Sequence, residues 1–206
     1  MIEPSPVIVR SRDLIRPYRP ADLPALRRIC LLTGDRGKDG TGRFSDDGIL
    51  PDVFLEPYLT LAPETAWVVE TDGEPVGYLV STLDTRAFSD RWRAEWTPEY
   101  RRRHPLPEPG AEWLDRIADD AYFWLDDGFP AHLHINLLPE AQGQGAGRAL
   151  MRELGLAALA AAVPGIHLVM SSENTAARAF YDRLGFSQLA VEGDAVVLGI
   201  DPRRLV

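Results

Sequence analysis

Between Ala131 and Ala162 the chain ends an apolar run at a proline and then passes through three alternating glycines into a helical pattern, and few folds accept that order. Ala131 to Leu138 (AHLHINLL) alternates apolar and polar residues at its start and is continuously apolar before Pro139, as in a central strand that stops abruptly. Gln142-Gly143-Gln144-Gly145-Ala146-Gly147 follows. From about Gly145 to Ala162, the residues Gly147, Leu150, Met151, Leu154, Ala158 and Ala161 mark one helical face, which Val163-Pro164-Gly165 ends. Ile166 to Met170 then reads as the next strand, so the unit is a right-handed crossover. Glycines at the head of its helix let backbone N–H groups converge on one concavity, and the helix dipole adds positive potential there. A diphosphate is the natural ligand. The spacing speaks against two commoner nucleotide loops. The three glycines stand two apart rather than as G-x-G-x-x-G, and no Gly-Lys-Ser/Thr is present.

About thirty residues downstream, Asn174 suits a helix cap, Ala177, Phe180, Tyr181 and Leu184 form the buried face, and Gly185 permits a left-handed end. Phe180 and Leu184 read as core. Tyr181 is different, because a phenol on an apolar stripe needs a hydrogen-bond partner.

The amino-terminal half reads as strand then helix: Leu14 to Tyr18, an Asp22 cap, then Leu26, Ile29 and Cys30 at helical spacing up to Gly34. Thr33 to Gly48 is too rich in glycine and aspartate for regular structure. Ile49 to Leu61, broken by Pro51 and Pro57, predicts short helical pieces, and Thr65–Thr71 and Pro75–Asp84 flank Asp72-Gly73-Glu74 as a hairpin. Trp92, Trp96 and Tyr100 recur every fourth residue, as on one packed helical face. Arg101-Arg102-Arg103-His104 reads as a solvated loop, and a second helix is expected from about Glu112 to Leu125. No repeat or Ser/Gly linker divides residues 1–206, so a single domain is expected.

A net charge of −9, with Lys38 the only lysine, speaks against generic nucleic-acid binding. The chain carries neither a membrane-length apolar run nor a signal-peptide pattern, which gives an expectation of a cytoplasmic protein with no membrane partner. The single cysteine, Cys30, lacks metal-ligand spacing, so it is expected to fill core and no metal is expected.

The glycine loop, as Q-x-x-G-x-G followed by Arg148 and Leu150, resembles the pyrophosphate loop of the GCN5-related N-acetyltransferases, and Asn174, Ala177, Phe180-Tyr181 and Leu184-Gly185-Phe186 match the same family's downstream stretch. Cys30–Thr41, Glu56–Glu70 and Gly77–Asp84 resemble the acetyltransferase-like carboxyl-terminal domain of O-GlcNAcase and its free-standing bacterial relatives. No part of these 206 residues resembles the hydrolase domain of the animal enzymes, so glycoside hydrolysis is not implied, and the chain retains the glycine loop that the animal domain is understood to have degraded. The resemblance implies an α/β (α+β) fold: a mixed, mostly antiparallel twisted sheet flanked by helices on both faces, opened as a V between central strands. It also implies acetyl-CoA held by Gln142, Gly143, Gln144, Gly145, Ala146, Gly147, Arg148, Asn174, Ala177, Phe180 and Tyr181. The pantetheine arm would pair with the backbone of Asn136, Leu137 and Leu138. An amide near Leu137 would polarise the thioester, and Tyr181 would protonate the departing thiolate.

A general base must take a proton from the incoming ammonium group. Asp84, at the end of an apolar strand, is the first candidate, and the same aspartate equally suits a cap on the next turn. His134 is the second, and it equally suits a satisfied core position. Asp35 and Asp39 either recognise a cationic amine or keep their loop solvated. Two classes of function follow: an N-acetyltransferase acting on a primary amine (small molecule, antibiotic or lysine side chain), or an inactive acetyl-CoA-binding module used in sensing or protein interaction. A monomer and a homodimer are both compatible with the sequence.

Overall fold

The computed structural model describes residues 7–8, 13–120, 124 and 126–206. Its strands are β1 (Val7–Ile8), β2 (Asp13–Pro17), β3 (Ala66–Thr71), β4 (Glu74–Thr82), β5 (Ala131–Leu137), β6 (Ile166–Ser171), β7 (Ser187–Glu192) and β8 (Ala195–Ile200). They form one sheet in the order β1-β2-β3-β4-β5-β6-β8-β7. Every neighbouring pair is antiparallel except β5 and β6. This is the mixed, mostly antiparallel sheet expected from the resemblance.

The expected hairpin turns through Asp72 and Gly73, at φ 54° and 88°. Two successive left-handed residues match the twist of the flanking strands. The apolar run after it becomes β4, whose last seven residues are all buried. β5 pairs with β4 along its whole length, from Thr82 opposite His132 to Gly77 opposite Leu137. On its other side, β5 shares two residue pairs with β6, Ala131 with Ile166 and His132 with His167. Beyond them the two strands diverge into the V.

The helices are α1 (Leu23–Thr33), α2 (Ile49–Phe54), α3 (Glu56–Leu61), α4 (Thr85–Arg91), α5 (Thr97–Arg103), α6 (Glu112–Asp120), α7 (Ala146–Ala160) and α8 (Thr175–Leu184). Alternation along β5 assigns them to faces. Asn136 donates to Thr33 at the end of α1 and His134 meets Tyr58 of α3, whereas Leu137 lies against Gly147 of α7. Helices therefore cover both faces. Among the described residues, no helix is long and apolar enough to cross a membrane.

Four local expectations need correction or limits. Asp22 stands at the start of α1, but its carboxylate turns to Arg16, taking two hydrogen bonds of 2.7 Å each. A buried guanidinium (6% exposed) needs that pairing more than the helix needs a cap. The arginine run is helical rather than looped. Arg101 pairs with Asp115 (2.9 Å), and Arg103 reaches Asp52 and Glu56 at 2.9 Å each. Trp92, Trp96 and Tyr100 are buried as expected, with a π-helical turn over Trp92–Trp96 joining α4 to α5. The expected helix from Glu112 is described as far as Asp120, and residues 121–123 and 125 lie outside the described residues.

Gly77 controls how closely β4 and β5 approach at the open end. A Cβ there would stand 2.2 Å from Leu137 Cδ2 and 2.9 Å from the Asn136 carbonyl oxygen. Gly77→Ala is expected to cost about 1–3 kcal/mol, through forced movement of β5. Urea unfolding followed by circular dichroism measures this, and an unchanged midpoint would show that the strand end yields freely.

Candidate functional site

The glycine loop forms the mouth of the V. After β5, a 3-10 turn (Pro139–Ala141) leads to Gly143 (φ 69°) and Gly145 (φ 92°), both in the region that favours glycine. Gln142 Nε2 donates to the Leu137 carbonyl (2.9 Å) and Gln144 Nε2 to the Glu140 carbonyl (2.5 Å), which ties the loop back to the strand end. The Ala149 amide bonds to the Gly145 carbonyl, so the amides of Ala146, Gly147 and Arg148 precede the hydrogen-bonded ladder of α7. Arg148 is exposed in that first turn. Gly147 is buried where α7, α8 and β5 meet, and a Cβ would touch the Phe180 ring at 3.1 Å and Leu137 at 3.4 Å. Free amides, a helix N-terminus and an arginine suit a diphosphate.

Hydrogen-bond alternation determines which groups of β5 face the V. The Leu138 amide donates to Val76 on the β4 side (2.9 Å), and the Ala131 amide donates to Gly165 on the β6 side (3.3 Å). In an antiparallel pair, alternate residues turn their backbone groups to the partner. The even-numbered residues, Asn136 and Leu138 among them, are therefore spent on β4. Leu133, Ile135 and Leu137 turn theirs away from β4. The His132–His167 pairing spends the Leu133 amide on the His167 carbonyl and Gln142 takes the Leu137 carbonyl, which leaves the Leu133 carbonyl, both groups of Ile135 and the Leu137 amide to the opening. Of the three residues expected to pair with a ligand arm, Leu137 alone has its amide on that edge, and both backbone groups of Ile135 and the Leu133 carbonyl extend the row.

Across the V, Asn174 Oδ1 accepts from the Ala177 amide (3.1 Å) as the cap of α8, and Gly185 (φ 91°) ends that helix. Tyr181 is 7% exposed, its ring 5.2 Å from both Phe180 and Phe186. Burial raises its pKa, so it stays protonated at neutral pH. Its hydroxyl has no hydrogen-bond partner among the described residues, which leaves it to solvent or a ligand.

The candidate bases separate. Asp84 is exposed and caps α4, accepting from the Ala87 amide (3.0 Å). It lies two residues past Thr82, which pairs with His132 near the start of β5, and so at the end of that strand away from the glycine loop. Asp39 accepts from the Thr41 amide and hydroxyl (2.9 and 2.6 Å), and Asp35 lies 3.4 Å from Arg43. Both are engaged within their own loop. That loop also reaches α8, with Arg36 2.7 Å from Glu173 and Gly37 close to Asn174.

His134 is half-buried on the α1–α3 face of β5, edge-on to Phe54 (5.4 Å), with Nε2 3.0 Å from the Tyr58 hydroxyl. Sequence reasoning missed the residues behind it: Tyr58 also meets His132 Nε2 (2.7 Å), and His132 Nδ1 meets the Thr85 hydroxyl (2.7 Å). The alternation His-x-His was visible, but partners on α3 and α4 were not. Burial lowers the pKa of all three buried or half-buried histidines here, His132, His167 and His134, the last to about 4.

Two measurements follow. Histidines of the unfolded chain take up protons near pH 6.5, while His134 in the fold does so only near 4. The unfolded state therefore binds more protons in that window, and stability is expected to fall as pH drops from 7 to 5. Urea midpoints at several pH values test this, and a flat profile would contradict it. Asp84→Ala is expected to cost about 1 kcal/mol as a lost cap while leaving ligand affinity at the V unchanged. Unfolding and calorimetry on one sample separate the two effects.

Comparison with known proteins is consistent with this architecture. The family described as "Acetyltransferase (GNAT) family" matches residues 38–186. Protein O-GlcNAcase of Rattus norvegicus is 22% identical over 211 residues, taking in 96% of this chain and 23% of that protein. The Mus musculus protein gives the same figures. The chain thus spans about a quarter of the length of these curated relatives. Among solved structures, SsHAT is 40% identical with a TM-score of 0.87, covering 93% of this chain and 98% of that one. YncA of Salmonella typhimurium, described as a putative acetyltransferase with its cofactor acetyl-CoA, shares the fold at 16% identity and a TM-score of 0.56, covering 93% and 95%.

Proposed function

The chain belongs to the acetyltransferase (GNAT) family, and from that premise we propose that it transfers the acetyl group of acetyl-CoA directly to a primary amine. The observation that carries this reading is the free edge of β5, which from the glycine loop into the V leaves the Leu137 amide, both backbone groups of Ile135 and the Leu133 carbonyl unspent. Diphosphate oxygens are held by the amides of the Gly143–Gly147 loop and by Arg148. The pantetheine arm lies along Leu133, Ile135 and Leu137 as an added strand. An amide of this row donates to the thioester oxygen as negative charge develops there.

His134 takes the base role in this reading, because it is half-buried beside the V and neutral at working pH. The amine gives up its ammonium proton to water on binding, and as its nitrogen attacks the carbonyl carbon the acidified N–H passes a proton to His134. As the carbon–sulfur bond breaks, the Tyr181 hydroxyl donates its proton to sulfur. The proton held by His134 leaves to solvent, and solvent restores the proton of Tyr181. Asp84 has no part in these steps. A non-catalytic acetyl-CoA-binding module keeps the loop and the strand edge but needs neither Tyr181 nor His134.

Calorimetry with acetyl-CoA, paired with thiol release over a panel of amines, distinguishes the two. Tyr181→Phe is expected to lower kcat at least tenfold while acetyl-CoA affinity stays within about twofold. Tight binding without turnover on any amine would favour the binding module, and absence of binding would remove both.

A further inference from the structure

We infer that a buried chain of hydrogen bonds from Thr85 through His132 and Tyr58 holds His134 as its Nε2–H tautomer, leaving Nδ1 as a bare lone pair. Thr85, His132 and Tyr58 are then positioning residues. The inference rests on the reading of His134 as the base, and it gives that base its form.

The assignment starts from a hydroxyl with one proton. Thr85 Oγ1 lies 2.6 Å from the Pro130 carbonyl oxygen, a separation that two oxygen lone pairs would not tolerate, so the hydroxyl donates to the carbonyl. Towards His132 Nδ1, 2.7 Å away, Thr85 can then offer only a lone pair, and Nδ1 must carry a hydrogen. His132 is 4% exposed and held neutral by burial, so its Nε2 is unprotonated and accepts. Tyr58 faces that nitrogen at 2.7 Å and spends its single proton there. The Tyr58 oxygen therefore meets His134 Nε2, at 3.0 Å, as an acceptor. His134 Nε2 carries the hydrogen.

Each link excludes its reversal. Turning the chain around would set the Thr85 oxygen against the Pro130 oxygen with no hydrogen between them, in a place where Thr85 is 2% and Tyr58 0% exposed. Water has no room to make good the mismatch, and an unmet buried polar group costs about 1–3 kcal/mol. No protein group among the described residues engages His134 Nδ1. The rings are also fixed sideways: Tyr58 stacks on Phe88 (4.7 Å), and Phe54 meets His134 edge-on (5.4 Å). A base of this kind takes up a proton only through Nδ1, so the chain selects the nitrogen that serves the reaction.

Long-range 1H–15N spectra of the intact, histidine-labelled protein read the tautomer without any assay. His134 is expected to show an unprotonated Nδ1 and a protonated Nε2, and His132 the opposite pattern. Tyr58→Phe and Thr85→Val are expected to move the His134 nitrogens towards values averaged over both tautomers. The same variants should lower kcat by about fivefold with KM for acetyl-CoA unchanged, and Thr85→Ser should restore the spectrum and kcat together. A protonated Nδ1 on His134 in the unaltered protein would overturn the inference, and so would shifts indifferent to both variants. If the tautomer is as expected but His134→Ala leaves turnover intact, the inference about the chain stands and the base assignment falls.

Discussion

Two parallel strands that share only two residue pairs leave one side of a central strand without hydrogen-bond partners, and in a protein interior such groups must be met from elsewhere. That shortfall, from the Leu133 carbonyl through Ile135 to the Leu137 amide, organises the molecule. β4 takes the opposite edge of β5 in full, with Gly77 admitting Leu137 at the end of the ladder. α7 begins at the loop that Gln142 ties to the same strand end, and Gly147 brings α8 close enough for Phe180 to pack there. On the other face, the loop after α1 reaches the start of α8 through Arg36 and Glu173, so the two arms of the V are joined through an exposed ion pair as well as through the sheet.

What could be read from the sequence was local. The hairpin at Asp72-Gly73, the glycine loop, the Asn174 cap and the Gly185 stop each depend on residues a few positions apart, and each signal survives in the structure. The V could be anticipated only by resemblance, because nothing in AHLHINLL tells where a parallel ladder will stop. Asp84 shows the limit from the other side. A carboxylate after an apolar strand looks the same whether it faces a substrate or caps a helix, and only the Ala87 amide separates the cases. At Arg101 to Arg103 the local partner Glu99 was within reach of the sequence, but the partners that dock this helix, Asp115 for Arg101 and Asp52 and Glu56 for Arg103, lie on α6, α2 and α3. The relay behind His134 was illegible for the same reason, since Tyr58 and His132 stand 74 positions apart.

The buried polar groups divide by purpose. Arg16 with Asp22 and Glu70, and Arg27 and Arg103 with Asp52 and Glu56, are ion-pair clusters, and they hold elements together. The Thr85, His132, Tyr58 and His134 chain carries no net charge. It contributes direction instead: each member constrains where the next keeps its proton. The relatives found among curated proteins are much longer than this chain, which spans about a quarter of their length.

The exposed edge of β5 presents main-chain atoms, and main-chain atoms are the same whichever side chain they carry. Leu133, Ile135 and Leu137 can be exchanged for other strand-forming residues without altering the pattern of donors and acceptors offered to the V, provided the α7 face is still filled. Proline is the exception, since it brings no N–H. On the proposed reading, the part of the site that holds the pantetheine arm is thus the part least marked by residue identity, and evolutionary drift along this strand can proceed with that edge intact.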